Sequence, residues 1–396
     1  MACARPIVIH VTTTDISLEL LLGGQLEAFA EAGFEVVGAS APGPYVDSLA
    51  RRGVRHLALD HATRAMAPLD DARAFVELVG LFRCLRPAIV HTHNPKPGLY
   101  GRLAARVAAV PIVVNTTHGL YALPDDPWPK RAIVYGLERL ASACSHAELV
   151  QNPEDLNVLG RLGVSREKLT LLGNGIDLRR FDPGSITATD ADAARAELGA
   201  RAPTDVVVGV VGRLVREKGF PEVFEAAQRL RSRLPTLRFA AIGPDEPHKS
   251  ASLSPDDRAA ALAAGVRFLG SRDDVVRLYR GMDLYVLASH REGIPRSAME
   301  AAAMGIPIVA TDVRGCRQVV EHGVTGLLVP PRDPVALADA IAALAVDPSK
   351  RRRMGAAGHR SALRDFDQQQ CIDLTLATYR RLLTRAGIPC PTGTPR

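Results

Sequence analysis

The chain has 396 residues, which suggests two domains because single domains usually run about 100–200 residues. Apolar residues make up 47% of the chain and charged residues 23%, a globular composition with enough apolar mass for two cores. The net charge of +6 is spread along the chain, and aromatic residues amount to only 5%. The sequence therefore lacks the basic tail and the stacking platform of a nucleic-acid-binding protein.

Targeting signals and redox features point to the cytoplasm. The apolar run Ile7–Val11 is too short for a signal peptide and has the length of a buried strand. The six cysteines form no C-x-x-C pair, which favours reduced thiols over a zinc site. No stretch approaches the roughly 20 apolar residues that a membrane span needs. We expect a cytoplasmic protein whose only membrane contact would be peripheral, on the inner face.

Short β-branched runs alternate with amphipathic stretches in the first half. Helical patterns such as Leu18–Ala32 and Asp70–Leu85 separate the runs. This βαβ rhythm predicts a doubly wound parallel sheet, whose strands are buried on both faces. The predicted strands are Ile7–Val11, Glu35–Ala39, Arg55–Leu59, Ile89–His91, Ile112–Thr116, Ala147–Gln151 and Leu169–Leu172.

The same rhythm restarts after an interruption rich in Asp, Ala, Pro and Thr at residues 182–204, which predicts an interdomain linker. Three helices are predicted near the end, at Val335–Ala345, Ser349–Leu363 and Gln368–Arg385. The second set of predicted strands is Asp205–Val211, Arg238–Ile242, Val266–Leu269, Leu284–Ala288, Ile308–Thr311 and Gly326–Val329.

These patterns predict an α/β protein with two Rossmann-like doubly wound domains that face each other across a cleft. In such sheets ligands bind outside the carboxyl ends of the strands, so both domains should offer those ends to the cleft. The predicted divisions are a first domain at 1–181, the linker at 182–204, a second domain at 205–366, a helix at 367–386 and a disordered tail at 387–396.

Histidines follow or end predicted strands of the first domain. His118 comes directly after a strand, where it could hydrogen-bond a sugar hydroxyl or shuttle a proton, although a structural role is equally compatible with its position. His91 and His93 form an H-x-H pair that could bind a metal. Since no carboxylate or further histidine lies nearby in sequence, we favour two other roles. The histidines would either line the acceptor side of the cleft, where a second substrate would bind, or be structural.

A glycine-bounded motif, Gly212–Gly219, follows a strand of the second domain. Gly212 would let the backbone approach a ligand, and Arg213 and Lys218 could direct two positive charges at it. We interpret the motif as a pyrophosphate clamp, with a solvated charged loop as the alternative. It is not a Walker A loop, because the G-x-x-x-x-G-K-[ST] order is absent.

A second motif, Ser289–Glu300, follows the strand Leu284–Ala288 and leads into a helix. The N-terminus of that helix should favour an anion. Glu292 and Glu300 are carboxylates that could each accept two hydroxyl donors of a sugar or ribose. The alternative is a helix-terminal acid and a salt-bridged residue. The two are not interpreted as a glycosidase pair, because they are predicted to contact different parts of one ligand.

Two further loops carry weaker signals. Gly315, in the loop Thr311–Gln318, could offer backbone N–H groups to a phosphate. The N-terminal loop Thr12–Asp15 could do the same from the first domain.

Together these segments resemble the family of retaining GT-B glycosyltransferases, of the family 4 type, that build bacterial capsules, exopolysaccharides and lipopolysaccharides. The most specific likeness is the pair Glu292 and Glu300 with seven residues between them, preceded by the motif Gly212–Gly219. The first half is most similar to the capsular and exopolysaccharide branch. That likeness rests on the segments His91–Gly98, Thr117–Gly119 and Leu172–Asp177.

The resemblance implies a role for each residue. The catalytic group would comprise Glu292, His118, Arg213 and Lys218. Arg213 and Lys218 would bind the donor diphosphate, Glu300 the ribose, Glu292 the transferred sugar and His118 its far hydroxyl. The remaining donor contacts would be Gly212, Gly270, Arg272, Gly293, Ile294 and Gly315, and the acceptor-side candidates are His91, His93, Lys96 and Asn174.

The resemblance also implies a nucleotide-sugar co-substrate, UDP-linked, with no metal and no other cofactor. Asp190 and Asp192 form a D-x-D only by chance, because they lie in the predicted linker. The acceptor would be a saccharide or a lipid-linked saccharide; a small-molecule acceptor and a non-catalytic nucleotide-sugar-binding partner subunit are the alternatives. The basic-aromatic stretch Trp128–Tyr135 could lie on a membrane surface or be an ordinary domain helix.

The sequence departs from the family pattern in two loops. Thr12-Thr13-Thr14 stands where many relatives have a Gly-Gly loop, and Arg314-Gly315 with Gln318 stands where many have Gly-Gly and Glu. The departures bear on the phosphate and sugar contacts of these two loops.

Overall fold

A computed structural model describes residues 5–65, 67–93, 95–122, 126–246 and 251–391. The chain forms two compact units. The first comprises Met1–Gly173 with Gln369–Arg396, and the second comprises Asn174–Gln368. In each unit parallel strands form one sheet that is covered by helices.

The first sheet has seven strands in the order β3-β2-β1-β4-β5-β6-β7, and every neighbouring pair is parallel. The order reverses between β1 and β4, which is where ligands bind in doubly wound sheets. The strands are β1 (Ile7–Thr14), β2 (Glu35–Ala41), β3 (Arg55–Ala58), β4 (Ile89–His93), β5 (Ile112–Thr117), β6 (Ala147–Val150) and β7 (Leu169–Leu171).

Six helices lie between these strands, and the last helix of the chain completes the unit. A π-helical turn, Ser17–Leu21, precedes the first helix where the sequence predicted one continuous helix. The Gly23-Gly24 pair begins a new helix there, because glycine weakens helix continuity. The helices are α1 (Gly23–Glu31), α2 (Val46–Arg51), α3 (Pro68–Leu85), α4 (Pro95–Val107), α5 (Trp128–Ala143) and α6 (Pro153–Arg161).

The second sheet has six parallel strands in the order β10-β9-β8-β11-β12-β13, so its order reverses between β8 and β11. The strands are β8 (Val206–Val211), β9 (Leu237–Ile242), β10 (Arg267–Gly270), β11 (Leu284–Leu287), β12 (Ile308–Thr311) and β13 (Gly326–Val329). The helices are α7 (Ala188–Glu197), α8 (Phe220–Leu230), α9 (Pro255–Ala263), α10 (Val275–Arg280), α11 (Arg296–Ala303), α12 (Pro334–Ala345) and α13 (Pro348–Asp365).

The predicted linker at 182–204 is wrong, because α7 lies within it and packs into the second unit. Ala194 and Leu198 are fully buried in that unit's core. Thr187 begins the helix by accepting a hydrogen bond from the backbone N–H of Asp190. The Asp-rich and Ala-rich composition therefore reflects a capped helix, and the chain passes between units at Gly173 and Asn174.

The final helix, α14 (Gln368–Arg385), contributes to the core of the first unit. Tyr379 and Leu383 are fully buried there. Beyond the helix, Ile388 and Cys390 are partly buried against the same core. The predicted disordered tail is therefore wrong for these residues, because their apolar side chains find a surface to cover, and residues 392–396 lie outside the described chain.

A buried charge cluster ties α4, α5 and β6 together. The side chain of Arg102 is 1% exposed and donates to Glu148 and to Glu138, each at 2.7 Å. Asn115 donates to the other oxygen of Glu148 at 2.8 Å. Because a buried charge needs partners, Glu138 is held toward the interior and not toward solvent.

Candidate functional site

In the second unit, the loops that follow β8 and β11 are pressed together. Gly219 adopts φ +72°, and a side chain there would place its Cβ 1.9 Å from the carbonyl oxygen of Ala288. The backbone N–H of His290 donates to the carbonyl oxygen of Glu217 at 2.9 Å. Only glycine permits this approach, which brings the end of the first motif against the start of the second.

Lys218 and Glu292 meet as a result. The ammonium of Lys218 lies 2.5 Å from one carboxylate oxygen of Glu292, and the hydroxyl of Ser289 donates to the same oxygen at 2.7 Å. The side chains of Lys218 and Glu292 are 22% and 10% exposed. The structure thus places a partly exposed cation and a carboxylate together at the β8–β11 reversal.

Arg213 takes other partners. Its guanidinium donates to Glu246 and to Glu217, each at 3.3 Å. Within the described chain, no hydrogen bond or ion pair joins it to Lys218, Glu292 or Glu300. Glu246 was not predicted, because it lies far along the chain in the loop after β9.

Gly212 borders open space. A Cβ built on Gly212 would meet no atom within 4 Å, although the Cβ of Gly243 would lie 1.9 Å from the carbonyl oxygen of Gly212. The carbonyl oxygen of Gly212 is therefore closely packed against Gly243, while the Cα of Gly212 borders unoccupied space. Gly270 ends β10 nearby, and its carbonyl accepts from the backbone N–H of Gly243 at 2.8 Å.

Gly315 packs directly on the second motif. Its Cβ would lie 2.2 Å from the carbonyl oxygen of Gly293 and 2.7 Å from that of Glu292. The hydroxyl of Thr311 also donates to the carbonyl of Ser289 at 2.5 Å. Close approach of two loops explains this glycine without the phosphate contact that we predicted for it.

Glu300 lies on α11 and is mostly buried. Burial raises the pKa of its carboxyl, while Arg296, the hydroxyl of Tyr279 and Arg180 act in the opposite direction. The hydroxyl of Tyr279 donates to Glu300 at 3.0 Å. No sequence pattern singles out Tyr279, which has the appearance of an ordinary core aromatic.

Asn174 and Arg272 contact residues of their own unit. Asn174, which the sequence predicts on the acceptor side, belongs to the second unit, where its amide donates to the carbonyl of Ile294 at 3.2 Å. The guanidinium of Arg272 binds Asp274 at 2.8 Å and also binds Glu197, which joins α10 to α7. Its charge is therefore used within the protein.

Lys96 is also occupied. Its ammonium lies 2.5 Å from Asp71 and donates to the carbonyls of Thr63 at 2.8 Å and Ala65 at 2.6 Å. One carboxylate and two carbonyls thus surround the ammonium and hold the segment before α3, whereas the sequence predicts Lys96 on the acceptor side.

In the first unit, four histidines form a cluster. His10 lies opposite His91 on neighbouring strands, and His93 follows two residues later, so all three share one face of the sheet. His10 and His93 are linked through ring nitrogens at 3.0 Å, and His93 and His118 at 3.1 Å. The hydroxyl of Tyr379 on α14 lies 2.5 Å from His91.

The cluster is held neutral. Burial lowers the pKa of His10 to about 3 and that of His118 to about 4, with Gln151 raising the latter. Burial also lowers the pKa values of His91 and His93 well below the usual value, and the neighbouring histidines lower them further. Of the two roles predicted for His91 and His93, their exposure of only 2% and 1% fits the structural role and not the acceptor-side lining.

The spacing of this cluster would also suit a metal ion, since nitrogens of His10, His91 and His93 lie within 4.8 Å of one another. We discounted a metal partly because no further histidine was near in sequence, and parallel pairing brings His10 there. However, all six ring nitrogens already have protein partners within 3.5 Å, which are His10, His93, His118, Tyr379 and Thr116.

The N-terminal loop is not a phosphate loop. β1 continues through Thr14, and the carboxylate of Asp15 accepts from the backbone N–H groups of Ile16 at 2.8 Å and Tyr45 at 2.7 Å. Asp15 therefore closes the turn after the strand and would repel an anion.

In the described parts of the chain, no helix combines the length and the apolar character that crossing a bilayer requires.

Two family models match the chain. The model of group 1 glycosyl transferases matches residues 193–361, and that of glycosyltransferase family 4 matches residues 24–180.

Curated relatives span most of the chain. The chain is 26% identical to the capsular polysaccharide biosynthesis glycosyltransferase CapM of Staphylococcus aureus, over 91% of this chain and 93% of CapM. It is 29% identical to the UDP-Gal:alpha-D-GlcNAc-diphosphoundecaprenol alpha-1,3-galactosyltransferase of Escherichia coli, over 72% of this chain and 73% of that protein. It is 31% identical to the D-inositol 3-phosphate glycosyltransferase of Kribbella flavida, over 74% of this chain and 70% of that enzyme.

Solved structures match the fold along nearly the whole chain. Sucrose-phosphate synthase of Thermosynechococcus elongatus superposes with a TM-score of 0.80 at 22% identity, covering 96% of this chain and all (100%) of that one. Anabaena HepE in complex with UDP-glucose superposes with a TM-score of 0.76 at 20% identity, covering 94% and 100%. With two Rossmann-like sheets and these relatives, the chain belongs to the group 1 and family 4 glycosyltransferases of GT-B fold.

Proposed function

We propose that the chain transfers a sugar from a UDP-linked donor, with retention of configuration and without a metal, to a saccharide or lipid-linked saccharide in surface polysaccharide biosynthesis. Support for the donor comes from the Escherichia coli relative, whose name specifies UDP-Gal. Support for the polysaccharide comes from CapM. Retention and metal independence follow from the family resemblance of the two motifs.

The observation that carries the proposal is the contact between Lys218 and Glu292 at 2.5 Å. It lies where the strand order reverses, which is the ligand-binding position of a doubly wound sheet. The open space beside Gly212 lies in the same loop as Lys218. A cation, a carboxylate and free space together suit a phosphate-linked sugar.

In this proposal Lys218 exchanges its bond to Glu292 for one to the donor diphosphate. Arg213, on the same loop, adds a second positive charge. These cations stabilise the negative charge that builds up on the departing diphosphate, which is the role that a metal would otherwise fill. Glu292, kept in place by Ser289, then contacts the transferred sugar, and a departing phosphate oxygen takes the proton of the acceptor hydroxyl.

Glu300 binds the ribose hydroxyls in the same proposal, since a carboxylate accepts two donors at once. The hydroxyl of Tyr279 orients this carboxylate through one oxygen. His118, in the first unit, contacts a hydroxyl of the transferred sugar.

Donor binding is tested by thermal shift with UDP-glucose, UDP-galactose, UDP-N-acetylglucosamine and GDP-mannose. A donor at 100 times its dissociation constant should add about 2.7 kcal/mol to the free energy of unfolding. We expect a UDP-sugar to raise the melting temperature, with the same shift in EDTA. Gly212→Val should abolish the shift, because the valine side chain enters the open space, where its Cβ meets no protein atom within 4 Å.

Gly80→Val is the matched control, since a Cβ on Gly80 in α3 also meets nothing within 4 Å. This variant should keep the full shift. If Gly212→Val kept it as well, the donor would not lie beside β8. If no nucleotide sugar shifted the wild-type protein, the proposed function would be wrong.

A surface on α5 supports a lipid-linked acceptor. Ile133, Leu137 and Leu140 recur at helical spacing and are 64%, 41% and 54% exposed, and Trp128 at the start of the helix is 73% exposed. We call Trp128, Ile133, Leu137 and Leu140 the α5 apolar face. An exposed apolar stripe of this kind usually marks an interaction surface.

The charges of α5 favour an anionic membrane as its partner. The helix carries Lys130, Arg131 and Arg139, and its one acid, Glu138, is bound to the buried Arg102. Lys130 pairs with Asp126 at 2.8 Å, just before the helix. Basic side chains therefore lie on the same helix as the apolar stripe, as in helices that lie in a membrane interface. The Escherichia coli relative is named for an acceptor linked to diphosphoundecaprenol, a lipid.

Replacing Ile133, Leu137 and Leu140 together by serine should weaken sedimentation with phosphatidylglycerol vesicles at least ten-fold. Each apolar side chain that enters the interface contributes about 1.5–3 kcal/mol when fully buried. The control replaces Leu262, Val346 and Leu363, which are 66%, 65% and 52% exposed in the second unit, and should bind normally. Equal binding by both triple variants would reject the α5 apolar face as the membrane surface.

A further inference from the structure

One continuous hydrogen-bonded chain runs across a face of the first sheet, and the proposed function uses only its end. From His118 it passes to His93 at 3.1 Å and on to His10 at 3.0 Å. From His10 it reaches the hydroxyl of Tyr379 at 3.5 Å, which lies 2.5 Å from His91. The strands thus connect His118 to α14, the last helix of the sequence.

The chain ends on the other side at the strand next to β4. The second ring nitrogen of His91 lies 2.7 Å from the hydroxyl of Thr116. At the opposite end, Nδ1 of His118 is buried and makes no hydrogen bond of standard geometry with any described residue, while the side chain of Gln151 lies beside the ring and raises its pKa. Nδ1 of His118 is therefore the end of this hydrogen-bonded series inside the protein.

We assign the proton positions starting from Tyr379. A phenol hydroxyl has one proton, which burial retains by raising its pKa, and we assign that proton to the much shorter contact, with Nδ1 of His91 as the acceptor. The tyrosine oxygen that faces Nε2 of His10 can then only accept. His10 must therefore carry its proton on Nε2.

The protons of the remaining histidine rings follow in turn, from His10 to His118. A neutral imidazole has one donor and one acceptor, so Nδ1 of His10 accepts from Nε2 of His93. Nδ1 of His93 in turn accepts from Nε2 of His118. Reversing any one ring would leave two donors or two acceptors facing each other, so the protons are set together.

We propose that His93, His10 and Tyr379 are positioning residues that hold His118 as the Nε2–H tautomer, with Nδ1 as its lone-pair nitrogen. The effect on sugar transfer rests on the proposed function, whereas the tautomer does not. The docking of α14 thereby determines which nitrogen of His118 can accept a hydrogen bond.

The test is two-bond ¹⁵N–¹H correlation NMR of the full chain labelled with ¹⁵N-histidine, with the four rings assigned by single replacement. The wild-type protein should show His118 protonated at Nε2. In Tyr379→Phe, Nε2 of His10 faces a ring that cannot accept, so the protons should reverse and His118 should become the Nδ1–H form. A wild-type Nδ1–H form, or an unchanged tautomer in Tyr379→Phe, would overturn the proposal.

Thr375→Val is the matched control. It removes a buried hydroxyl from the same helix, but that hydroxyl donates only to the carbonyl of Cys371 at 2.8 Å. This variant should keep the wild-type tautomer. A reversal in both variants would show that loosening α14, and not loss of the tyrosine hydroxyl, moves the protons.

Kinetics complete the test. With the UDP-sugar that gives the largest thermal shift, Tyr379→Phe should lower kcat about ten-fold and leave KM unchanged. Thr375→Val should keep the wild-type kcat and KM. An unaltered kcat beside a reversed tautomer would show that the tautomer of His118 has no part in sugar transfer. A wild-type protein that binds no nucleotide sugar would overturn the proposed function, while the NMR result would still decide the tautomer.

Discussion

The free energy of unfolding of the first unit should fall steeply as the pH drops below 6.5. Burial lowers the pKa of His10 to about 3 and of His118 to about 4, and lowers the pKa values of His91 and His93. The folded chain thus binds fewer protons than the unfolded chain, whose histidines titrate near 6.5. Stability is therefore complete above 6.5 and is lost toward the folded pKa values.

The expected loss is large. Each such histidine costs up to about 1.4 kcal/mol per pH unit, so four together approach about 5.5 kcal/mol per unit. Since domains are usually stable by only about 5–15 kcal/mol, the first unit should unfold in mildly acidic buffer. Urea unfolding followed by circular dichroism at pH 7.5, 6.0 and 5.0 measures this, with hydrogen exchange in β1 and β4 locating it.

One replacement separates the cluster from general acid denaturation. His10→Phe removes one titrating ring beside Phe29, on which His10 stacks at 5.4 Å, and should reduce the pH slope by about a quarter. Thr375→Val, which removes a buried hydroxyl that donates to the carbonyl of Cys371 and no titrating group, should leave the slope unchanged. A free energy of unfolding that stayed constant from pH 7.5 to 5.0 would contradict the prediction.

The sheets were predictable because buried parallel strands read as solid apolar runs. β12 and β13 have the predicted bounds, and β1 differs only by extending from Val11 to Thr14. The linker was not predictable from composition, since an alanine-rich helix with a threonine cap has the same residues as a flexible connection. Its helical nature depends on burial of Ala194 and Leu198, which is a tertiary effect.

The candidate site likewise contains residues that local sequence patterns predict and residues that they do not. Lys218 and Glu292 were predictable because each follows a strand in a glycine-bounded loop, and parallel strands present such loops at one edge. Tyr279, Glu246 and Tyr379 gave no signal, because their roles come from packing between distant segments. Local spacing carries the motif, and it says nothing about which remote side chain orients it.

Sugar transfer should fall about 1,000-fold in Lys218→Ala with the UDP-sugar identified by thermal shift. In the proposed mechanism Lys218 meets the charge on the departing diphosphate, and groups that stabilise such charge in a transition state contribute about 100-fold to 1,000-fold or more. The loss should appear mainly in kcat/KM. Arg216→Ala is the control, because Arg216 is a cation of the same loop whose guanidinium binds Asp257 at 2.6 Å. This variant should keep its transfer activity.

A double variant tests whether Lys218 and Glu292 act as a pair. Each single change also leaves the other charge without its 2.5 Å partner, so Lys218→Ala with Glu292→Gln should lose less than the product of the two single losses. If the losses multiplied, the contact would have no bearing on transfer. If Lys218→Ala stayed as active as Arg216→Ala, the ammonium would not meet the diphosphate, and the β8–β11 reversal would have to bind the donor by other groups.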